Sequence, residues 1–399
     1  MARLDTIVVV GGSLAGLRAV EALRRQGFDG TIRWIGAESQ EPYDRPPLSK
    51  QILRGEWLPE RIALAKQGVG ALGAELHFGH RALALDAVQR RVTLDDGATL
   101  AFDGLVVATG ATPRRLPGQP DLAGVFLLRT LDDALAIRAE LERGPRVVVV
   151  GGGFIGAEAA ASCRERGLDV TMIEALGHPL EQALGPEIGA LFAAIHRDRG
   201  VDVRTGVAVA AIEGDRRVER VRLADGSVVP ADVVIVGIGV RPETAWLEGS
   251  GLELRDGVVC DEFCATALPN VVAAGDVARF PSRRFGEEMR IEHWTHAVEQ
   301  AEAAATTLLH GRTKPYDPVP YVWSDQFDAK LAVAGRPRAG DEMRVVDGSF
   351  ERRKFVALFG RGGRLRGAVG LNRMAKLMTW RRTLHEDLAF DEALARAAS

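Results

Sequence analysis

Two short runs in this chain combine glycine spacing with a later acid in a way that suits nucleotide phosphates. The first, Gly11-Gly12-Ser13-Leu14-Ala15-Gly16, follows the apolar stretch Ile7–Val10 and is answered by Glu38. The second, Gly151-Gly152-Gly153-Phe154-Ile155-Gly156, follows Val147–Val150 and is answered by Glu174. A backbone without side chains lets a pyrophosphate approach the start of a helix, where unpaired N–H groups and the helix dipole favour negative charge. The acid lies 22 residues beyond Gly16 in one run and 18 beyond Gly156 in the other, near the ~20 needed to reach an adenosine ribose. One such run is weak evidence. Two in strand–turn–helix context imply two dinucleotides on one polypeptide, the arrangement of a protein that moves electrons between them.

The elements that must position these runs repeat along the chain. Residues 1–38 read as β-α-β, with an amphipathic helix over Leu17–Gln26, and residues 40–60 read as loop. A hairpin turning at Asp95-Asp96-Gly97 leads to an apolar strand that exits at Thr109-Gly110. Residues 146–174 then form a second β-α-β unit. A hairpin around Asp225-Gly226 follows, with an apolar strand exiting at Gly239. The run Asn270–Phe280, with Gly275-Asp276 at its strand end, has no earlier counterpart. It reads as the chain returning to complete the first domain, because an Asp at the C-terminal end of a parallel strand faces the ligand crevice.

A helix is expected over Thr295–His310 with Thr295 as its N-cap. The last stretch alternates as strands near 330–334, 343–346, 354–359 and 365–369 and ends in a helix near 375–384. The expected fold is α/β, with two Rossmann-like dinucleotide-binding domains and a C-terminal α+β domain. The boundaries fall at 1–108 with 242–318, at 109–241, and at 319–399.

At 399 residues the chain is long enough for two or three domains. Hydrophobic content of 46% and charged content of 26% fit a soluble globular protein. No export signal or membrane-spanning run is recognisable, so a cytoplasmic protein that binds no membrane is expected. Three cysteines exclude a disulfide framework. Cys260 and Cys264 have a C-x3-C spacing that matches neither a redox pair nor a zinc site, and Cys163 reads as core. The eight histidines show no ligand spacing, so no metal is expected. His293 and His296 read equally as core or loop residues or as neighbours of a cofactor. From Val319 to Ser399 there are 15 Lys/Arg against 10 Asp/Glu, an excess of +5 that leaves −8 for the rest of a chain of net charge −3. Bulk charge gives no ground for nucleic acid, whereas a basic C-terminal module suits an acidic protein partner as well as it suits a scattered solvated surface.

Five blocks stand in a recognisable order: Gly11–Gly16, Pro42-Tyr43-Asp44-Arg45-Pro46-Pro47-Leu48-Ser49-Lys50, Gly151–Glu158, Gly275–Phe280 and Val322-Trp323-Ser324-Asp325-Gln326. In these the chain resembles, over essentially its full length, the NADH-dependent ferredoxin reductases of bacterial oxygenase and cytochrome P450 systems, which share a glutathione-reductase-like fold. The second and fifth blocks are far more specific than either glycine run.

The resemblance implies FAD in the first cradle and NADH in the second. It also implies hydride transfer to flavin N5, with single electrons passed on to an acidic two-iron ferredoxin by a monomer or weak homodimer. Carried over position by position, Gly11, Ser13, Leu14, Ala15, Gly16 and Glu38 would hold the FAD pyrophosphate and ribose. Ala82 would meet adenine through its backbone, and Arg45, Lys50 and Arg129 would lie along the cofactor. Thr109, Gly110, Gly275 and Asp276 would border it, Asp276 on a ribitol hydroxyl, and Trp294 would open a helix aimed at the flavin pyrimidine edge. Gly151, Gly153, Phe154, Ile155, Gly156, Glu158, Glu174 and Gly239 would serve NADH. The carboxylate of Glu174 would repel a 2′-phosphate, which favours NADH over NADPH.

Lys50 reads either as a solvated loop lysine or as an ammonium near flavin N5, paired with Glu158 to orient the nicotinamide. Ser13 departs from the pattern, since a second glycine usually stands there, and Ala37 stands where an acid is common. Trp323 reads as a cover for the flavin edge or as a core residue. Disulfide-reducing relatives carry a thiol beside the flavin, and Ser49-Lys50 occupies that stretch here. Rubredoxin reductase, NADH oxidase and a redox-responsive flavin-containing binding protein are the alternative readings.

Overall fold

The structure, a computed structural model, describes residues 4–398. It divides into two compact units, one of residues 4–44, 63–112 and 241–320, the other of residues 45–62, 113–240 and 321–398.

In the first unit the strand Thr6–Val10 has Ile7, Val8 and Val9 fully buried. A strand buried on both faces belongs in the middle of a covered parallel sheet. The order is Val271–Ala273, Gly104–Val107, Thr6–Val10, Thr31–Gly36, Glu75–Phe78, with every neighbouring pair parallel. The late strand Val271–Ala273 thus pairs with Gly104–Val107, more than 160 positions earlier in the chain. The helices Leu14–Arg25 and Trp294–His310 pack together. Fully buried Ala19, Ala22, Ala301, Ala304 and Ala305 keep their facing surfaces small. The second of these helices starts one residue earlier than Thr295 suggests: His293 is its extended N-cap and contributes no side-chain cap bond. Among the described residues no helix is long and apolar enough to cross a membrane.

The second unit repeats the parallel plan. Its sheet runs Asp202–Thr205, Val170–Glu174, Val147–Val150, Val233–Val236, Val125–Leu127. Two helices here have clear local causes. Thr130 and Asp133 form a reciprocal capping box at the start of Leu131–Leu141. Pro186 opens Pro186–Asp198 directly after Gly185, whose φ of +85° breaks the preceding turn. The C-terminal stretch is an antiparallel sheet in the order Tyr321–Gln326, Ala329–Gly335, Arg364–Leu371, Lys354–Arg361, Glu342–Ser349. One face of that sheet buries Leu331, Val333, Phe355, Phe359 and Val369 against Phe192 and Ile195 of Pro186–Asp198. Truncating a fully buried Phe costs about 3–5 kcal/mol, so this apolar seam fixes the C-terminal sheet on its helix.

Between Pro46-Pro47 and Ile52 the chain forms a single π-helical turn, Leu48–Ile52. The Ile52 amide reaches the Pro47 carbonyl five residues back at 3.0 Å. Such wide turns are rare and concentrate at functional positions. This one carries Ser49 and Lys50.

Candidate functional site: two glycine cradles and a buried ion pair

In the first cradle the glycines are demanded by sterics. Gly11 sits at φ +138°, and a Cβ there would run into the Ala108 carbonyl. A Cβ on Gly12 would lie 2.8 Å from Gly36 Cα, and one on Gly16 would meet the Gly11 carbonyl oxygen. The turn is tied down by Gly11 N to Ile35 O at 2.8 Å and by Trp34 Nε1 to Gly11 O at 2.8 Å. Ser13 is the N-cap of Leu14–Arg25, yet its side chain makes no cap bond, and no acid stands in the first turn. The first bond of the helix is Leu17 N to Ser13 O. The amides of Leu14, Ala15 and Gly16 therefore stand at a helix end that carries no acid in its own first turn.

Residues distant in sequence gather around this end. A Cβ on Gly275 would lie 3.0 Å from Ala15 Cβ, which sets the Gly275–Val277 turn and its Asp276 beside the cradle. Gln300, fully buried, accepts the Gly275 amide at 2.8 Å. Glu38 accepts the Tyr43 hydroxyl, and the Gly79 amide reaches the Glu38 carbonyl at 3.0 Å, so the chain leading to Ala82 passes the acid. Trp294 heads its helix and donates Nε1 to Asp44 Oδ1 at 2.8 Å. Thr109 Oγ1 donates to Glu243 O at 2.7 Å, and Gly110 O accepts the Glu243 amide at 3.0 Å. His296 is a core residue, stacked on Phe280 with ring centroids 5.3 Å apart, with Nδ1 2.9 Å from the Tyr316 hydroxyl.

The second cradle has the same construction. Gly151 sits at φ +101°, where a Cβ would strike the Gly237 carbonyl, and a Cβ on Gly156 would strike the Gly151 carbonyl. Gly153 is the N-cap of Phe154–Glu165, and a Cβ there meets nothing within 4 Å. Ile155 beside it is 47% exposed. Glu174 closes the turn, accepting the Gly152 amide at 2.6 Å and the Leu176 amide at 2.8 Å. Gly239, at φ +97°, accepts the Arg114 amide at 2.9 Å. Here too no acid stands in the first helical turn.

The contrast with Leu131–Leu141 is informative. That helix has two acids and a full capping box, whereas both cradle helices are left open. Acid-free helix starts behind glycine-rich turns fit nucleotide pyrophosphates.

The second unit also holds Arg45, Arg129, Lys50 and Glu158. Arg45 Nη1 donates to the Arg129 carbonyl at 2.6 Å. Lys50 is 5% exposed and Glu158 3%, with Nζ 2.6 Å from Oε2. Lys50 is therefore not a solvated loop lysine. Ser49 Oγ donates to the same oxygen at 2.5 Å and Ser324 Oγ to Oε1 at 2.7 Å. Such a buried pair is weak evidence for added stability.

A family model described as pyridine nucleotide-disulphide oxidoreductase matches residues 5–301, and one described as reductase C-terminal matches 321–399. The chain belongs to the pyridine nucleotide-disulphide oxidoreductase family. Within it the chain groups with ferredoxin reductases, as the resemblance in the five blocks implies. It is 42% identical, over 92% of its own length and 90% of the relative's, to the 5,5'-dehydrodivanillate O-demethylase ferredoxin reductase subunit of a Sphingobium species. It is 35% identical to putidaredoxin reductase CamA of Pseudomonas putida, covering 98% of this chain and 95% of that one. The crystal structure of the covalent putidaredoxin reductase–putidaredoxin complex superposes with a TM-score of 0.92 at 34% identity, covering 96% of this chain and 94% of that one.

The family name mentions a disulphide, but this member has no thiol poised for exchange. Cys163, Cys260 and Cys264 are all free and buried. Burial pushes the Cys163 thiol up to about 12 and raises the other two as well. The thiolate that exchange requires is thus suppressed.

Several residues at these sites were given no individual role from sequence, although Tyr43, Asp44, Ser324 and Gln326 stand in the quoted blocks. Trp34, Tyr43, Asp44 and Gln300 brace the first cradle. Ser324 and Gln326 lie on the buried face of the strand Tyr321–Gln326, and Trp323 on the other face packs near Tyr321, with ring centroids 6.1 Å apart. The polar i, i+2 spacing of Ser324 and Gln326 was the available signal.

Proposed function

We propose that this protein is an FAD-dependent NADH:ferredoxin oxidoreductase of the bacterial cytoplasm, serving an oxygenase or cytochrome P450. One observation carries the reading. Two glycine cradles with open helix starts stand in one chain whose only three thiols are buried and free. FAD, when bound, accepts a hydride from NADH and hands on single electrons, which couples a two-electron donor to a one-electron carrier.

In this reading Gly11, Ser13, Leu14, Ala15, Gly16, Glu38, Ala82, Thr109, Gly110, Gly275, Asp276 and Trp294 serve FAD, together with Arg45, Lys50 and Arg129. NADH is served by Gly151, Gly153, Phe154, Ile155, Gly156, Glu174 and Gly239. Lys50 and Glu158 orient the nicotinamide and place charge at the hydride acceptor. That role is positional and electrostatic, because hydride transfer needs no enzyme base. The carrier is a ferredoxin, in keeping with the ferredoxin reductase names of the relatives; its acidity and two-iron cluster are what the resemblance in the five blocks implies.

An anaerobic titration tests this. One equivalent of NADH should bleach the bound flavin, and an oxidised two-iron ferredoxin added afterwards should restore its colour. Flavin that stays oxidised with NADH would end the reading. Bleaching that no ferredoxin reverses would remove the partner alone.

A further inference from the structure

A file of buried polar groups runs from Glu158 into the C-terminal sheet. Ser324 Oγ donates to Glu158 Oε1 at 2.7 Å, Gln326 Nε2 donates to Ser324 Oγ at 3.1 Å, and His196 Nε2 lies 2.9 Å from Gln326 Oε1. Ser324, Gln326 and His196 are each fully buried. They come from the strand Tyr321–Gln326 and the helix Pro186–Asp198, while Glu158 comes from Phe154–Glu165.

The direction of each bond follows from the chemistry of the groups. A carboxylate only accepts, so the Ser324 hydroxyl gives its proton to Glu158 and offers lone pairs to the Gln326 amide nitrogen. The Gln326 carbonyl then faces His196 and can only accept, so His196 Nε2 carries the ring proton. Nδ1 is left bare, and it has no partner. Burial lowers the His196 pKa, against a weaker opposing pull from Gln326, so the ring is neutral. Every proton in the file thus points towards the Glu158 carboxylate. Aligned donors polarise one another and favour charge at the end they point to.

An apolar filling was available, since Phe192, Ile195, Leu331 and Phe355 pack in the adjoining core. Replacing buried polar groups by hydrophobes is often neutral or stabilising, so packing alone does not explain the file. Its far end is also clamped. Phe327 holds a left-handed φ of +55°, unusual for a bulky residue. Its ring meets His196 edge-on at 5.2 Å and lies under the Arg199 guanidinium at 5.6 Å, and Arg199 pairs with Asp328 at 2.5 Å.

We infer that His196, Gln326 and Ser324 are positioning residues for the nicotinamide reaction, holding Glu158 as an oriented carboxylate so that the Lys50 ammonium keeps one direction. The C-terminal sheet thereby completes the site on the helix that carries the second cradle. The inference rests on the reading above that this cradle takes NADH. It predicts an effect on the rate of reaction rather than on binding, because the cradle itself is untouched.

The test is anaerobic rapid mixing of the flavin-loaded protein with a range of NADH concentrations, which separates the limiting reduction rate from the NADH Kd. Ser324→Ala and His196→Phe should each lower the limiting rate by about ten- to a hundredfold, with Kd changed less than about threefold. Ser324→Thr, which keeps the hydroxyl, should return the rate to within about threefold of wild type. Independently of turnover, nitrogen-15 histidine spectra recorded at about pH 7.5 should show His196 neutral and protonated on Nε2.

Ser324→Ala as fast as wild type, Ser324→Thr as slow as Ser324→Ala, or a His196 proton on Nδ1 would each overturn the inference. A wild-type protein that NADH does not reduce would instead overturn the functional reading, and this inference with it.

Discussion

The indole of Trp34 is a strut under the first glycine turn, its Nε1 donating to the Gly11 carbonyl at 2.8 Å while the ring is fully buried. Gly11 cannot accept a Cβ, so the turn has no side chain of its own with which to hold its shape. The neighbouring strand supplies one. Trp34→Phe should lower thermal stability by the equivalent of about 1–3 kcal/mol, since a buried carbonyl loses its donor and the pocket loses volume. It should also increase loss of FAD on gel filtration. Unchanged flavin retention would mean that the turn holds its shape without the strut.

Lys50 and Glu158 lend themselves to a double-mutant cycle. Removing one partner leaves a buried charge uncompensated, which typically costs about 3–5 kcal/mol. Lys50→Met and Glu158→Gln should each lower the unfolding temperature of the second unit, and the double variant should be more stable than the sum of the two losses predicts. Flavin reduction by NADH should stay slow in all three. Strict additivity in stability would show that the ion pair is not coupled in solution.

Glu174 has two tasks that a single substitution can separate. Its carboxylate accepts the Gly152 and Leu176 amides, which shapes the second turn, and in the proposed reading its negative charge would repel a 2′-phosphate. Glu174→Gln keeps one acceptor and removes the charge. The preference for NADH over NADPH, measured as the ratio of kcat/KM values, should narrow by about tenfold, since one charge contact is worth roughly 1–2 kcal/mol. A ratio that does not move would show that Glu174 is only a structural brace.

The first cradle, the second cradle and the strands beneath them were legible in sequence because each is a local steric statement. Gly11 and Gly151 hold positive φ against a carbonyl, and Val147–Val150 is an unbroken apolar run bounded by glycine. The hairpin at Asp95-Asp96-Gly97 was equally local, with Gly97 at φ +86°. What stayed hidden depends on partners far away in the chain. Residues 40–60 read as loop, yet Ile52 N reaches back five residues to Pro47 O, and Lys50 is buried by Glu158, 108 positions on. His196 lies in a helix whose own pattern gives it no role, and its partner Gln326 is 130 residues later. Thr295 looked like a cap by residue type, but the helix begins at Trp294.

The basic C-terminal cluster is smaller in effect than its sequence count. Arg353 pairs with Asp198, Arg361 faces Asp341, and Arg364 and Arg366 face Asp387. Arg352, Lys354 and Arg382 are exposed and have no acidic partner among the described residues. Arg352→Glu with Lys354→Glu should slow reduction of an acidic two-iron ferredoxin several-fold at low salt. The difference should fade above about 0.3 M salt as screening shortens the range of the field. An equal slowing at all salt concentrations would point to lost contacts rather than to steering.

His296 gives the first unit a definite pH response. It is buried, and burial, helped by nearby His293, lowers its pKa to about 3. The native state therefore keeps the ring neutral, while an unfolded chain protonates it below about pH 6.5. Between those limits the unfolded state binds more protons, so stability falls as pH falls, by up to about 1.4 kcal/mol per pH unit, and above pH 6.5 the group has no effect. His296→Phe removes the titration but also the bond to the Tyr316 hydroxyl, so the variant should be less stable at pH 7.5 by roughly 1–3 kcal/mol. The gap to wild type should close as the pH is lowered towards about 5, because only wild type then loses stability through this ring. Thermal midpoints of the two proteins, recorded across that range in one buffer series, decide it: parallel curves would mean that the imidazole is not held neutral in the native core.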